Sequence, residues 1–180
     1  MRATTLALTC CFALSGCATS PSVTPTLDQL LATIDRRLDL AEAVALHKWD
    51  HQQPVQASAR ERQVLASARQ AAIAHHLDPA RVEAFFADQI EANKLLQYHL
   101  LDTWHRARQA PALPRRDLAN DVRPELDLLQ EQLLSALARF DQTPPANCAN
   151  HLADALQQRA QDTTRHLALV RASAQLCKLR

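Results

Sequence analysis

Glycine is nearly absent: one occurs in 180 residues, Gly16, and none follows it. A Gly-rich phosphate-binding loop is therefore excluded. Aromatic residues make up 4% of the chain and β-branched runs are few, whereas Ala, Leu, Gln and Arg abound, so an all-α fold is expected. The signatures of several enzyme classes are also missing. There is no HExxH for a zinc protease, no Cys-x-x-Cys-His for haem attachment and no elbow around a nucleophilic serine. His47 and His51, one helical turn apart, would suit a zinc pair, but no third ligand has a recognisable spacing and no metal site is expected. A formal charge of +1 gives no bulk attraction to nucleic acid, so any anion must be met by a local site. The length suits one compact domain with a real core.

Residues 1–17 read as a targeting segment. Arg2 supplies the positive end, Ala3 to Leu14 the short apolar stretch, and Leu14-Ser15-Gly16-Cys17 resembles a lipobox. In such signals the cysteine is acylated and becomes the mature N-terminus, an anchor rather than a spanning helix. Ala18 fits sorting to the outer membrane of a Gram-negative cell, giving a periplasmic lipoprotein held at Cys17. An ordinary cleaved signal, leaving a soluble periplasmic or secreted protein, is the alternative. Residues 18–25 form a Ser/Thr/Pro tether, and 26–180 the folded domain. Of the five cysteines, only Cys148 and Cys177 lie outside the signal, and an even pair in an oxidising compartment predicts a disulfide. An unbroken helix would hold them roughly 43 Å apart, against the roughly 5.5 Å between Cα atoms that a disulfide needs. The chain must then fold back near Asp162-Thr163-Thr164.

About six helices are predicted. Thr26-Leu27-Asp28-Gln29 reads as a capping box opening the first, which runs to about Gln53 and stops at Pro54. Ser58-Ala59-Arg60-Glu61 opens the second, reaching His76 with Val64, Ala68 and Ala71 inward. Asp78-Pro79 starts the third, which ends near Arg108. After a Pro-containing linker over 110–116, the fourth begins around Asp117 to Asp121 and runs to Phe140. Two short helices, near 148–161 and 164–178, complete the chain.

The first helix carries an anomaly. Its inward stripe at three-and-four spacing is Leu30, Ile34, Arg37, Ala41, Val44, Lys48, with two cations where core residues belong. They are about three turns and roughly 16 Å apart on one face, within reach of a common point. A buried cation costs several kcal/mol unless paired, so either the protein's own carboxylates or an anionic ligand must neutralise them. The third helix has a matching oddity: Gln89, Asn93 and Gln97 interrupt an apolar stripe. Buried amides need partners, supplied either by neighbouring helices or by a ligand in a polar pocket. Glu61 is accounted for by capping alone, and Arg60 by an exposed first turn.

These residues resemble the AroQ-type, all-helical chorismate mutases, and among them the exported gamma subclass. The resemblance runs from about Leu27 to Cys177 and is carried by RRLDLAEAVALHKW, PVQASARERQVL, HHLDPARVEAFFADQIEANKLLQY and the paired late cysteines. It implies a type II helical bundle that converts chorismate to prephenate by an intramolecular Claisen rearrangement, without cofactor, in a homodimer with a complete pocket in each subunit. By this resemblance Arg37 binds a substrate carboxylate, and Lys48 contacts a carboxylate and the ether oxygen. Gln97 donates a second hydrogen bond to that oxygen, and Glu61 accepts from the substrate hydroxyl beside Arg60. Asn93 lies near a carboxylate, and Arg123 completes the anion site from the same chain. Three departures stand out: Ala57 where Asp is usual, Val64 where some exported members have Gln, and an interval between the late cysteines about one turn shorter. The alternative is a non-catalytic helical envelope lipoprotein, an adaptor whose cations meet another anion or its own carboxylates.

Overall fold

The computed structural model describes residues 25–159 and 162–178, and every regular element among them is helical. The signal segment with Cys17 and residues 18–24 of the tether lie outside the described residues, while Pro25, expected to end the tether, begins the first helix. Helices α1 (Pro25–Asp39) and α2 (Ala41–Asp50) occupy the span predicted as one helix, and α3 is Ser58–Ala71, continued by a 3-10 turn over Ala72–His75. The long α4 (Pro79–Ala107) is followed by the linker, a π turn over Leu118–Val122 and α5 (Arg123–Gln142). Two short helices, α6 (Cys148–Arg159) and α7 (Thr163–Ala172), end the fold.

Burial of apolar faces, not local propensity, holds this arrangement together. Helix α4 is the central rod, packing against α2, α3 and α7, while α1 lies along α5. The main core joins Leu27, Leu30, Leu31 and Ile34 of α1 to Phe85 and Phe86 of α4, Leu133, Leu137 and Phe140 of α5, and Leu169 of α7. Two satellite clusters close the other end: Leu40 with Val122 and Leu129, and Ala45 and Leu46 with Trp104.

The division at Leu40 corrects the single first helix expected from the stripe. No proline or glycine marks it. Instead the Asn93 amide reaches into the backbone beside the break, donating to the Arg37 carbonyl at 3.4 Å, and Leu40 turns its side chain into the satellite cluster. The second capping box is also displaced. The N-cap of α3 is Ala57, whose N–H donates to Glu61 Oε1 at 2.9 Å, while the Ser58 hydroxyl makes no capping bond and accepts from Gln56 instead. Asp78 caps α4 as expected, accepting from the Arg81 N–H at 2.8 Å with Pro79 in the first turn.

With no glycine in the folded part, left-handed positions at helix ends fall to other residues. His76 follows the 3-10 turn at φ 55° and Arg108 follows α4 at φ 54°. Both sites would suit glycine better. The late cysteines form the expected disulfide, with Cα atoms 5.6 Å apart, and Asp162 caps α7 after the fold-back.

Candidate active site

One cavity of about 900 Å³, counted to its open mouth, is walled by α1 and α2, the 51–57 loop, α3, α4, and the π turn with α5. It brings together all seven residues singled out for substrate contact: Arg37, Lys48, Arg60, Glu61, Asn93, Gln97 and Arg123. Ala57 and Val64, the departures, also face it.

Arg37 and Lys48 sit 6% and 8% exposed on the wall made by α1 and α2. Among the described residues neither forms an ion pair. Arg37 has one long hydrogen bond, Nη1 to the Leu126 carbonyl at 3.4 Å, its Nε has no partner, and its guanidinium carbon lies 6.0 Å from the centre of the Phe86 ring. Lys48 Nζ donates to the Val55 carbonyl. Burial strips water from both cations and lowers their pKa values. Arg37 falls to about 10 despite the nearby Asp127 carboxylate, and Lys48 falls below 10.5 despite Glu61. A site that holds two buried cations at such a cost, neither of them ion-paired among the described residues, is built to receive an anion.

The remaining groups define what kind of anion. Gln97 Nε2 donates to Asn93 Oδ1 at 2.7 Å across one turn of α4, keeping its second N–H free, while Gln97 Oε1 is buried without a partner. Arg60 stands near the mouth, donating to Gln63 at 3.0 Å and Asp127 at 3.3 Å. Glu61 accepts from the Ala57 N–H and from Gln56 Nε2, each at 2.9 Å. Arg123, the first residue of α5, is exposed at the rim. The π turn that places it is set by Asp117, whose carboxylate accepts from the Asn120 and Ala119 N–H groups at 2.7 Å; these bonds hold its pKa below the ordinary value.

Of the three amides on α4, Gln89 stands apart. It does not face the cavity; its Nε2 donates to the Ala172 carbonyl at 2.7 Å and ties α4 to α7. Sequence reasoning missed Lys94, which does line the cavity, 8% exposed. Nothing in the sequence pattern marks it, because a lysine beside an apolar stripe ordinarily reaches into water. Lys94 Nζ meets Glu91 at 2.7 Å, Gln56 Oε1 at 2.9 Å and Glu61 at 3.5 Å; burial pulls its pKa down, but the acids outweigh that and raise it. The lining thus holds five cations, Arg37, Lys48, Arg60, Lys94 and Arg123, against two carboxylates, Glu61 and Asp127. His47 and His51 stack 4.1 Å apart outside this cavity.

Comparisons with known proteins agree with this geometry. A chorismate mutase from Burkholderia phymatum superposes with a TM-score of 0.80 at 38% identity, over 84% of this chain and 96% of that one. A second, from Burkholderia thailandensis, gives 0.74 at 38% identity, over 84% and 99% of the two chains. The secreted chorismate mutase of Mycobacterium tuberculosis is 29% identical over 160 residues, 86% of this chain and 80% of its own. Residues 28–98 match the family model described as chorismate mutase type II, and with the Burkholderia structures matched over nearly their whole length, the chain belongs to that family.

Proposed function

We propose that the protein converts chorismate to prephenate in this cavity, by a Claisen rearrangement that needs no cofactor and no covalent intermediate. The observation that carries the reading is the pair Arg37 and Lys48: buried, on one wall, and without an acidic partner. Chorismate is a compact dianion, and its two carboxylates answer the excess of positive charge. Binding folds the extended ether into a chair-like geometry, so much of the rate comes from orientation. The rest comes from charge complementarity, since the ether oxygen gains negative charge as its C–O bond breaks. Lys48 and the free N–H of Gln97 are the donors for that oxygen. Arg37, Arg60 and Arg123 hold carboxylates with Asn93 beside them, and Glu61 accepts from the ring hydroxyl. No group has to take up or release a proton.

The gamma-subclass assignment, with a complete pocket in each subunit of a homodimer, is supported by Arg123 facing the same cavity as Arg37, Lys48 and Gln97 of its own chain. Export through residues 1–17, with lipid attached at Cys17, belongs to the same reading. Mass spectrometry of the mature N-terminus tests the anchor, and sedimentation tests the dimer. The decisive assay is loss of chorismate absorbance with purified protein lacking residues 1–17. Turnover well above the uncatalysed rate is expected; none at micromolar enzyme overturns the proposal.

A further inference from the structure

We propose that Lys94 is a positioning residue for this reaction, holding the Glu61 carboxylate so that a single acceptor position is left for the substrate hydroxyl; this rests on the chorismate reading above. A lysine on a helix ordinarily reaches into water. Lys94 instead turns its ammonium inward, where it meets three acceptors from three separate elements: Glu91 on α4, Gln56 in the 51–57 loop and Glu61 on α3. Gln56 and Glu61 accept hydrogen bonds from it, and Glu91 pairs with it at 2.7 Å. The ammonium is thus already matched by acids of the protein, which separates it from Lys48.

The consequence falls on Glu61. An ionised carboxylate offers about four lone-pair sites. The Ala57 N–H occupies Oε1, while Gln56 Nε2 and Lys94 Nζ occupy Oε2. One site remains, on the oxygen bound only to the backbone. Gln56 is itself pinned from the other side, because its Oε1 accepts from Lys94 while its Nε2 donates to Glu61. Lys94, Gln56 and Glu61 therefore close a ring of contacts that fixes the carboxylate plane against the cavity. The same loop is held one residue earlier by Lys48 at Val55.

A double-mutant cycle in the full chain tests this, with chorismate turnover as the readout. Lys94→Met keeps the aliphatic stem and removes the charge. It is expected to lower kcat/KM about tenfold to a hundredfold, the range for losing a charge-assisted hydrogen bond. In a Glu61→Gln background the same change should cost less than about threefold, because the two residues act as a unit. A chorismate analogue lacking the ring hydroxyl should likewise be turned over equally by wild type and Lys94→Met. Effects that multiply independently, or an equal loss on the hydroxyl-free analogue, overturn the inference. If Lys94→Met does not fold, Lys94→Gln carries the same cycle with a neutral donor. Should Lys94→Met lower only the melting temperature while kcat/KM holds, the residue is structural and the inference fails. Wild-type protein without mutase activity defeats the proposed function itself, an outcome distinct from active protein that lacks the coupling.

Discussion

Lys48 donates one ammonium hydrogen to the carbonyl of Val55, seven residues on, and closes the loop between α2 and α3 from inside the cavity. An ammonium has three hydrogens, so two remain for a ligand. One side chain thus shapes the wall and faces the substrate. Its anchor is a neutral carbonyl and not a carboxylate, so its positive charge stays available.

Lys48→Ala separates these two parts. Losing the donor for the ether oxygen should lower kcat about a hundredfold to a thousandfold, as for removal of one preorganised donor at a developing anion. Losing the Val55 bond should cost only about 1 kcal/mol, or roughly 2–4 °C in Tm. Stopped assays of chorismate and a circular dichroism melt measure both. A collapse of helicity at 25 °C would make the cation structural and remove the main support for the mutase reading.

Arg37→Met puts the cost of the unpaired charge on view. Below about pH 10 the guanidinium is charged in both folded and unfolded chains, and burial penalises only the folded one. Removing the charge lifts that penalty, so Tm at pH 7 should stay level or rise by a few degrees, since replacing a buried charge with an apolar side chain of similar volume is often stabilising. Activity moves the other way: kcat/KM should drop at least about a hundredfold with the loss of a charged contact to a carboxylate. A variant that melts well below wild type would show that the protein itself needs this charge.

Much of this was legible in the sequence because the informative residues break a pattern. Arg37 and Lys48 stand out on an apolar stripe, and Asn93 and Gln97 stand out on another; all four face the cavity. Lys94 breaks no pattern, since a lysine beside a stripe reads as a solvated residue. Only the acids brought alongside it by α3 and the loop reveal that it is buried. The break at Leu40 was hidden for a related reason: no local proline or glycine marks it, and the amide that meets the Arg37 carbonyl beside it, Asn93, comes from another helix. Gln89 shows the converse. It carries the same signal as Gln97, but its partner is the Ala172 carbonyl, which depends on where α7 docks.

The pH profile should be flat on the acid side and fall on the alkaline side. Gln97 donates without carrying a titratable proton, so no loss of kcat/KM is expected between about pH 5 and about pH 7.5 from that position. Lys48 must be charged, and burial sets its pKa below the ordinary 10.5. Raising the pH neutralises it, so the alkaline limb should begin earlier than for an exposed lysine and steepen as Arg37 approaches its value of about 10. Initial rates across about pH 5 to about pH 10 in constant-ionic-strength buffers give the profile. A steep acid limb inside the flat window would mean that a protonated group is required.

Arg108→Gly should stabilise the protein although it removes a side chain. Arg108 is exposed and left-handed at φ 54°, a conformation costing an ordinary residue about 1–2 kcal/mol and glycine almost nothing. Part of the gain is offset by the greater freedom of glycine in the unfolded chain. A net gain of about 0.5–1 kcal/mol, or roughly 1–4 °C in Tm, is expected with kcat/KM unchanged. An unchanged or lower Tm would mean that the Arg108 side chain contributes more than the backbone relief.

Removing the disulfide should weaken the fold without disabling the site. The bridge joins Cys148 and Cys177 across a separation of 29 residues, and neither cysteine lines the cavity. In the chain-entropy account a loop of this size contributes about 3–4 kcal/mol through the unfolded state. The double variant Cys148→Ala, Cys177→Ala should then melt roughly 6–16 °C lower. α7 meets the cavity walls through α4, where Gln89 holds the Ala172 carbonyl, and through α1, where Arg165 pairs with Asp35 and Asp39 on either side of Arg37; neither cysteine takes part in these contacts. At 25 °C, where the variant is still folded, kcat/KM should stay within about twofold of wild type. A tenfold loss of kcat/KM in fully folded protein would instead place α7, through Gln89 and α4, in control of the geometry at Asn93 and Gln97.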